Sequence, residues 1–436
     1  MNFDLKKCDI AVIGMGYVGM PLALALAKYF PVKGFDINQN RIEDLGNGVD
    51  SNREIDKSDL TKTACIFTDQ IDEIKGCNVY IVTVPTPIDE HNKPDLNAVC
   101  AATKMVASLL KKGDVVVYES TVYPGVTEDV CGEILEECTN LKSGVDFFLG
   151  YSPERINPGD TEHTVENITK IVAAQTDEVT GYLSDIYGAM NGNKIFKAKN
   201  IKTAEAAKAI ENAQRDINIA FVNEITMLLN KVGVSAYDVL EAAGTKWNFL
   251  DFKPGLVGGH CIGVDPYYLA ETALKVGHKS ELILAGRKLN DNMGAYIAGR
   301  IDRYLNRARG KNTGPAKILI LGFTFKENIN DIRNTKVIDL ISALKKFDHN
   351  IDIHDPHAVV EDVKEFYDLD LISSLPEKAA YDCVVLAVPH QMYKDMAVAD
   401  LVPLLANNEG TQPVIYDIKG LWRGKEIPDN VQYQCL

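Results

Sequence analysis

The sequence predicts an α/β protein in which an N-terminal Rossmann domain and a C-terminal Rossmann-like domain are joined by a long central helix. Short apolar runs alternate with helical patterns in both halves of the chain, which is typical of parallel sheets covered by helices. A glycine fingerprint follows the first apolar run, and one helical pattern extends from Thr203 to Val232. We therefore expect domains at residues 1–200, 201–308 and 309–436.

Composition limits the classes of function that this chain can have. With 436 residues, 46% of them hydrophobic and 25% charged, it has the composition of a soluble globular protein. No apolar run approaches the ~18–20 residues that span a bilayer, and the polar N-terminus does not predict a signal peptide. A net charge of −15 argues against nucleic acid or an anionic membrane as a partner. Any anionic substrate therefore requires locally placed cations.

The cysteines indicate a reducing environment. There are nine of them, an odd number, and they are scattered without a C-x-x-C pair. This pattern is not typical of a disulfide framework or a zinc site. We expect a cytoplasmic protein without a bound metal.

A dinucleotide fingerprint lies at the start of the chain. The predicted strand Asp9–Ile13 is followed by a helical pattern (Pro21–Tyr29), a second strand (Val32–Phe35) and Asp36. The turn after the first strand reads G-x-G-x-x-G, and its candidate cofactor residues are Gly14, Gly16, Tyr17, Val18 and Gly19. Glycines there allow the pyrophosphate to approach a helix N-terminus. Asp36 stands where a carboxylate accepts ribose hydroxyls and repels a 2′-phosphate, so we expect NAD rather than NADP. The alternative is a tight turn without a ligand.

Polar residues follow the next strands of the predicted sheet. These strands are Val79–Val84, Val115–Tyr118 and Phe147–Gly150. Since ligands collect at the carboxyl ends of parallel strands, Thr86 and Thr121 are expected at the cofactor crevice, although each could be an ordinary strand-end cap. Glu154, between the prolines of Ser152–Pro158, is a candidate for handling a catalytic water or a simple turn cap.

The central helix carries a second candidate group. Lys208 and Asn212 are four residues apart and share one helix face. Spacing alone favours a solvated lysine over a catalytic one. Further helical patterns cover Ala236–Ala243, Tyr268–Val276 and Ser280–Leu305.

The glycine-rich stretch Gly258–Pro266 contains the candidate nucleophile. Cys261 follows Gly258 and Gly259, which let a ligand approach the thiol, and Asp265 comes four residues later. Taken alone, the stretch favours a buried structural thiol. His260 and Cys261 are adjacent, which is poor geometry for two ligands of one metal.

A second α/β unit follows a polar connector, Arg309–Pro315. A helix fits Lys336–Phe347, and the predicted strands are Lys317–Leu321, Ile351–His354, Cys383–Val388 and Val414–Asp417. Because this half lacks a G-x-G-x-x-G sequence, we expect it to bind a mononucleotide or nothing.

Together these segments resemble the UDP-sugar 6-dehydrogenase family over essentially the whole chain. The matching segments are Gly14–Gly19, Thr83–Pro87, Glu119–Gly125, Ser152–Arg155, Glu205–Lys208 with Asn212, Gly258–Pro266, Gly322–Lys326 and Asp331–Arg333. Within the family, Gly244–Phe249 and Pro254–Val257 are most similar to the bacterial UDP-N-acetylhexosamine branch. His260 is a marker of that branch, since plain UDP-glucose enzymes tend to have Ser or Ala there.

The resemblance implies a four-electron oxidation of a sugar C6 alcohol to a carboxylate with two NAD in turn. Cys261 would hold the sugar as a thiohemiacetal and then as a thioester, which water hydrolyses. Lys208 and Asn212 match the residues that stabilise the oxyanion, and Asp265 matches the group that handles the proton or the water. The implied catalytic set is Cys261, Lys208, Asp265, Asn212, Glu154 and Thr121. The product would serve surface-polysaccharide synthesis, such as capsule or O-antigen.

The resemblance also implies binding residues. Arg41 and Arg333 match cofactor contacts alongside Asp36, and Lys253 fits a substrate-loop lysine only loosely because the loop length differs. The implied substrate contacts are Glu154, Arg155, Lys208, Asn212, Lys253, Gly258, Phe325 and Lys326. The family's late arginine has no clear counterpart, although Lys419 could replace it. A homodimer through the central helix, or an oligomer built from such dimers, is expected.

Alternatives remain open at this point. UDP-GlcNAc is the preferred substrate and UDP-GalNAc the next, with UDP-glucose or UDP-ManNAc as further possibilities. A two-electron hydroxyacid or 6-phosphogluconate-type dehydrogenase would need no nucleophilic cysteine. A non-catalytic NAD-binding protein would bind nucleotide without oxidising any UDP-sugar.

Overall fold

The computed structural model describes residues 3–52, 55–89, 91–156, 162–259, 261–309, 314–407 and 411–436. His260, residues 157–158 of the predicted loop and residues 310–313 of the predicted connector lie outside this described part. The chain forms two compact units, Met1–Ala213 with Val264–Ser280 and Gln214–Gly263 with Glu281–Leu436. The boundaries proposed from sequence for three domains stay a prediction.

Each unit is built on one sheet. In the first unit the strands are β1 (Ile10–Ile13), β2 (Val32–Phe35), β3 (Ile66–Thr68), β4 (Val79–Val82), β5 (Val115–Tyr118), β6 (Phe148–Tyr151), β7 (Lys170–Ala174) and β8 (Ile195–Lys197). In the second they are β9 (Lys317–Leu321), β10 (Asn350–His354), β11 (Cys383–Leu386), β12 (Val414–Asp417) and β13 (Gln432–Cys435).

The helices alternate with these strands along the chain. They are α1 (Gly19–Ala27), α2 (Gln39–Gly46), α3 (Lys57–Lys62), α4 (Asn97–Ala107), α5 (Glu133–Thr139), α6 (Asp177–Asn191), α7 (Ile201–Val232), α8 (Ala236–Gly244), α9 (Asp265–Lys275), α10 (Glu281–Asp291), α11 (Met293–Arg309), α12 (Val337–Lys345), α13 (Val360–Tyr367), α14 (Gln391–Asp395) and α15 (Val398–Leu401). None of them is long and apolar enough to cross a membrane.

The strand orders place a switch point in each sheet. The first sheet has the order β3-β2-β1-β4-β5-β6-β7-β8, and the second has the order β10-β9-β11-β12-β13. Apart from the antiparallel pair of β6 and β7, the strand pairs of both sheets are parallel. The chain reverses direction across the sheet between β1 and β4 and between β9 and β11, where ligands bind in open α/β sheets. The α/β class with a long central helix is thereby confirmed.

The central strands are apolar because helices cover both faces of each sheet. β1, β4 and β5 are buried at every position, as expected for parallel strands without a solvated face. Separate apolar cores lie on the two sides of each sheet. These rigid cores fix the strand ends that carry the candidate sites.

Some predicted elements were wrong in detail. The helix predicted over Ser280–Leu305 is two helices, since α10 ends at Asp291 and α11 begins at Met293. The side chain of Asn292 donates to the carbonyl of Lys288 at 2.7 Å, and such a bond competes with the helical backbone ladder. α9 begins at Asp265, three residues before the predicted start, with a proline in its first turn. Four short strands were missed, namely β3, β7, β8 and β13.

Candidate active site

The first candidate site is the crevice at the carboxyl end of β1. Gly14 has φ +99, and a Cβ at Gly19 would lie 1.8 Å from the carbonyl oxygen of Gly14, so both turn positions require glycine. A Cβ at Gly16 would meet nothing within 4 Å. The chain therefore leaves open space directly beside the N-terminus of α1, next to Tyr17 and Val18. This cradle fits the pyrophosphate of a dinucleotide.

Asp36 lies at the end of β2 and shapes this turn. Its two carboxylate oxygens accept the backbone N–H groups of Met15 at 2.7 Å and Asn38 at 2.9 Å. Arg41 is buried, donates to the carbonyl of Met15 at 2.9 Å and pairs with Asp50 at 2.6 Å. The structure therefore brings Asp36 and Arg41 to the fingerprint turn, with Arg41 engaged in protein contacts.

Threonines after β4 and β5 line the same edge of the sheet. Thr83, which sequence reasoning did not single out, donates to the carbonyls of Ile13 at 3.0 Å and Gly14 at 2.8 Å. Its hydroxyl thus closes the turn. Thr86 is half-buried, and its carbonyl accepts the hydroxyl of Tyr268. Thr121 is half-buried after β5.

Glu205 lies on α7 in the segment Glu205–Lys208, one of those that carry the family resemblance. It is fully buried, and its carboxylate accepts the N–H groups of Gly125 at 2.6 Å and Thr127 at 2.9 Å. Burial raises the pKa of Glu205 to about 7, against the effect of these hydrogen bonds. Glu205 therefore anchors the loop after Thr121 and was missed as a positioning residue.

Lys208, Asn212 and Asp265 form the second group in the first unit. Lys208 is 7% exposed and Asp265 is 1% exposed. Asn212 donates to Oδ2 of Asp265 at 2.5 Å. Burial raises the pKa of Asp265 to about 7, while the charge of Lys208 and the bond from Asn212 act in the opposite direction. The group can therefore exchange a proton near neutral pH.

Glu154 fills one of the two roles considered for it, that of a turn cap, and its role toward a catalytic water stays a prediction. Its Oε1 caps its own turn by accepting the N–H groups of Arg155 at 2.6 Å and Ile156 at 2.5 Å. Its Oε2 has no hydrogen bond among the described residues. Arg155 pairs with Glu211 on α7 at 2.8 Å, so its side chain is held by the protein.

The cysteine loop, which comprises Gly258, Gly259 and Cys261–Gly263, belongs to the second unit. Cys261 is half-buried. A Cβ at Gly258 would lie 2.5 Å from the carbonyl oxygen of Asn334, and a Cβ at Gly259 would lie 2.9 Å from the ring of Phe325. Both glycines are therefore required by close packing of this loop against the 322–336 segment.

A buried polar network binds the backbone of the cysteine loop. Arg287 on α10 is 1% exposed and pairs with the fully buried Asp216. Its guanidinium donates to the carbonyls of Ile262 and Val257, each at 3.4 Å. Arg287 thus binds the backbone on both sides of the cysteine, and sequence reasoning missed it.

The same network continues toward a pocket. Arg287 pairs with Asp291 at 3.2 Å, and Asp291 pairs with Lys336 at 3.0 Å. Burial acts to lower the pKa of the Lys336 ammonium, but Asp291 and Asp339 together have the larger effect and raise this pKa. Lys336 is therefore a fixed cation at the pocket wall.

This pocket, called the lysine pocket, has a volume of about 250 Å³ and lies at the carboxyl ends of β9, β11 and β12. Its walls combine apolar groups with the ammonium groups of Lys326, Lys336 and Lys419. Burial lowers the pKa of Lys419, and Glu327 opposes this effect. The lining residues are Leu256, Gly258, Thr324, Phe325, Lys326, Glu327, Thr335, Lys336, Val337, Ala387, Val388, Pro389 and Lys419. Clustered cations in an acidic protein fit a diphosphate.

Two predicted contacts lie outside this pocket. Arg333 is exposed and pairs with Asp331 at 2.9 Å within the second unit, whereas the fingerprint belongs to the first. Lys253 is exposed and pairs with Asp251 at 2.5 Å. Neither is among the residues that line the pocket. Within the described ranges, no group of three or more His, Cys, Asp or Glu side chains could hold a metal ion.

Comparison with known proteins gives matches along the chain. Residues 8–191, 202–292 and 319–424 match the NAD binding, central and UDP binding domains of the UDP-glucose/GDP-mannose dehydrogenase family. The chain is 46% identical over 418 residues to the UDP-N-acetyl-D-glucosamine 6-dehydrogenase of Pseudomonas aeruginosa, covering 96% of this chain and 98% of that one. The Salmonella typhi enzyme of the same name is also 46% identical, covering 96% and 97%.

A solved structure matches over the same extent. The UDP-D-ManNAc dehydrogenase from Pyrococcus horikoshii superposes with a TM-score of 0.87 at 29% identity, and the alignment covers 98% of both chains. The residues matched by the three family domains include the fingerprint, Cys261 and the residues that line the pocket.

Proposed function

The chain belongs to the UDP-glucose/GDP-mannose dehydrogenase family, and we propose that it oxidises the C6 hydroxyl of UDP-N-acetylglucosamine to the uronate. Membership of the family makes it an NAD-dependent oxidoreductase acting on a nucleotide sugar. Identity of 46% to two UDP-N-acetyl-D-glucosamine 6-dehydrogenases supports this sugar. UDP-GalNAc is the next choice, and similarity to a UDP-D-ManNAc dehydrogenase makes UDP-ManNAc a further candidate.

The proposal assigns the fingerprint crevice to NAD. Asp36 would accept the adenosine ribose hydroxyls and repel a 2′-phosphate, which supports NAD over NADP. NAD, when bound, would supply the hydride acceptor for each of two oxidations. The residues assigned to it are Gly14, Gly16, Tyr17, Val18, Gly19, Asp36, Arg41, Thr86, Thr121 and Arg333.

We propose a four-electron reaction because a candidate nucleophile, the Cys261 thiol, is close in sequence to a buried carboxyl group that can bind a proton. Cys261 stands four residues before Asp265, whose carboxyl is buried, bonded to Asn212 and has a pKa of about 7. This one observation favours the four-electron reaction over a two-electron dehydrogenase. Asp265 would take the proton of the reacting hydroxyl.

The thiol of Cys261 would hold the sugar between the oxidations. Its sulfur would add to the aldehyde carbon to give a thiohemiacetal, and the second oxidation would leave a thioester. Lys208 and Asn212 would stabilise the negative charge on the sugar oxygen. Glu154 and Thr121 would orient the water that cleaves the thioester, and Glu154 would accept its proton.

The lysine pocket is proposed to bind the UDP moiety. Lys326 and Lys336 would neutralise the diphosphate, and Lys419, which lines the same pocket, would replace the family's late arginine. Phe325 and Gly258 would pack against the nucleotide. Arg155 and Lys253 would also contact the substrate. In this structure their side chains pair with Glu211 and Asp251.

We also propose a cytoplasmic homodimer or dimer-based oligomer. Ile210, Phe221, Leu228 and Val232 are each more than half exposed, and their spacing places them on one face of α7. An apolar stripe of this kind supports a dimer through that helix. A reducing compartment suits a reaction that requires Cys261 as a thiol.

The proposal is tested by following NADH with UDP-GlcNAc, UDP-GalNAc, UDP-ManNAc and UDP-glucose in parallel. We expect two NADH per molecule of UDP-GlcNAc and the uronate as product. One NADH per sugar, or a Cys261→Ala variant that forms the carboxylate at the normal rate, would favour a two-electron enzyme. Nucleotide binding without NADH from any of the four sugars would indicate a non-catalytic protein, and activity with UDP-glucose alone would contradict the choice of branch.

A further inference from the structure

Lys170 is a fully buried lysine that the roles above leave unexplained. It begins β7 and has an exposed fraction of 0%. Lysine is almost never fully buried unless its ammonium is paired. The groups around this ammonium should therefore explain why it is there.

Two carboxylates and an aromatic ring surround the ammonium of Lys170. It forms an ion pair with Glu119, which follows β5. It lies 3.8 Å from Oε2 of Glu154 and 5.2 Å from the ring centroid of Tyr187. Lys170 is therefore shared between a structural carboxylate and one to which the proposed reaction assigns a role.

The two oxygens of Glu154 have different partners. Oε1 accepts the N–H groups of Arg155 and Ile156 and is fixed to its own turn. Oε2 is the oxygen nearer to Lys170, and in the described part of the chain it accepts no hydrogen bond. The turn thus fixes one oxygen, and the charge of Lys170 attracts the negative charge to the other.

Stability is a weak reason for this arrangement. Taking ions out of water costs several kcal/mol each, and replacing a buried ion pair by apolar residues of similar volume is often neutral or stabilising. A buried ammonium shared by two carboxylates is therefore better explained by what it does to Glu154.

We propose that Lys170 is a positioning residue that acts through Glu154 in the hydrolysis of the Cys261 thioester. This inference rests on the proposed function. Lys170 holds Oε2 of Glu154 as the oxygen that receives the proton of the attacking water. Glu119 holds Lys170 in place through its ion pair.

The hydrolysis step involves no oxidant. The water oxygen bonds to the acyl carbon while one water proton passes to Glu154. The carbon–sulfur bond then breaks, and its electron pair leaves with the sulfur of Cys261 as a thiolate. The carboxylic acid formed loses the second water proton to solvent, so one water yields one carboxylate, one thiolate and two protons.

The test separates the oxidations from the hydrolysis. In Lys170→Met, rapid-mixing measurements should show a first-turnover burst of two NADH per active site at the wild-type rate. The steady-state rate should then fall about tenfold to a hundredfold, the cost typical of a misplaced catalytic group. Intact mass spectrometry should show the acyl-enzyme, the KM for the UDP-sugar should change little, and Lys170→Arg should recover part of the rate.

Two further variants guard against effects on folding. The double variant Lys170→Met with Glu119→Leu removes both charges of the pair and should fold, yet still accumulate the acyl-enzyme. Lys317→Met is the matched control, because Lys317 also begins a strand, β9, but its side chain is 49% exposed. It should behave as wild type in the burst and in the steady state.

The outcomes distinguish this inference from the proposed function. If Glu154→Gln traps the acyl-enzyme but both Lys170 variants turn over at the wild-type rate, only the role of Lys170 is wrong. The inference is overturned if the burst rate and the steady-state rate fall equally, or if the double variant does not fold. Either result would show that Lys170 is purely structural. If no variant, Glu154→Gln included, traps an acyl-enzyme and Cys261→Ala stays active, the proposed function itself is wrong.

Discussion

Asn212 donates a hydrogen bond from Nδ2 to Oδ2 of Asp265 at 2.5 Å and so joins the face of α7 to the first residue of α9. This contact holds a carboxyl group that is 1% exposed and whose pKa burial raises to about 7. An aspartate in this state binds a proton where an ordinary aspartate does not. The burial of Asp265 therefore has a consequence for the stability of the fold.

We expect Asp265 to make the fold less stable as pH rises from about 4 to about 7. In this range the folded state keeps a proton on Asp265 and the unfolded state loses it, so the free energy of unfolding falls by about 1.4 kcal/mol per pH unit from this group. In Asp265→Asn this contribution disappears. The variant should gain stability relative to wild type between pH 5 and pH 8.

Urea unfolding at both pH values checks this prediction. Asp185→Asn is the control, because Asp185 is an exposed aspartate on α6, and its curve should run parallel to that of wild type. A stability difference between Asp265→Asn and wild type that does not change with pH would contradict the raised pKa.

The parts of the site that could be predicted are those fixed by local sequence. The fingerprint turn and Asp36 lie within one βαβ unit, so spacing was enough to predict them. Cys261 and Asp265 are also close in sequence, but that stretch alone favoured a structural thiol, and the family resemblance was needed to propose a nucleophile. The family resemblance added a catalytic role for Lys208, a substrate contact at Lys326 and Lys419 as a replacement for the late arginine, whereas Lys336 was missed.

The supporting residues could not be predicted because their partners are distant in sequence. Glu205 is 80 residues from Gly125, and Lys170 is 51 residues from Glu119. A lysine at the start of an apolar run is typical of an exposed strand end, so nothing in the sequence marked Lys170 as buried. The short strand β13 is polar and was missed because its pairing with β12, rather than its composition, makes it a strand.

Removal of Arg287 should destabilise the protein strongly. Arg287→Met leaves the buried Asp216 without its cation, and breaking a buried pair in this way costs about 3–5 kcal/mol. The double variant Arg287→Met with Asp216→Leu should recover part of the loss. Chemical denaturation measures both, and Arg303→Met, an exposed position on α11, should stay within about 0.5 kcal/mol of wild type. A similarly small effect at Arg287 would contradict the network.

Asp36 should control affinity and selectivity for the cofactor. Asp36→Ser loses a charged acceptor worth about 1.5–3 kcal/mol, so the KM for NAD should rise by roughly tenfold to a hundredfold. Because the charge that repels a 2′-phosphate is also lost, the preference for NAD over NADP should narrow. Initial rates with each cofactor test this, with Glu43→Gln, an exposed position on α2, as control. An unchanged KM for NAD would place the ribose elsewhere.

The lysine pocket should bind UDP through charge. Lys326→Met should weaken UDP binding in calorimetry by about tenfold or more, since a charge-assisted hydrogen bond contributes about 1.5–3 kcal/mol, and the dependence on salt should become shallower. Lys345→Met, exposed at the end of α12, is the matched control. Equal effects of the two substitutions would indicate a general charge effect rather than a site.

The pocket should also respond to pH through Lys419. Its pKa is lowered, so its ammonium loses the proton at a lower pH than an ordinary lysine. As pH rises, UDP affinity should therefore begin to weaken at a lower pH than the loss of an ordinary lysine's proton would cause. Lys419→Arg, which stays protonated, should remove this dependence, and calorimetry at several pH values compares the two proteins. A dependence that persists in the arginine variant would assign it to another group.

Gly258→Ala should disturb the cysteine loop more than the fold. A Cβ at this position would lie 2.5 Å from the carbonyl oxygen of Asn334 and 3.2 Å from the backbone nitrogen of Lys336, both of which are backbone atoms that cannot rotate away. The loop that carries Cys261 must therefore move, and a displacement near 1 Å can cost about a hundredfold in rate. We expect kcat to fall at least tenfold by this reasoning, with a smaller change in UDP affinity. Gly263→Ala is the matched control in the same loop, because its Cβ would meet its nearest neighbour at an ordinary 3.5 Å. Equal kcat values for the two alanine variants would show that close packing against Asn334 does not set the position of the thiol.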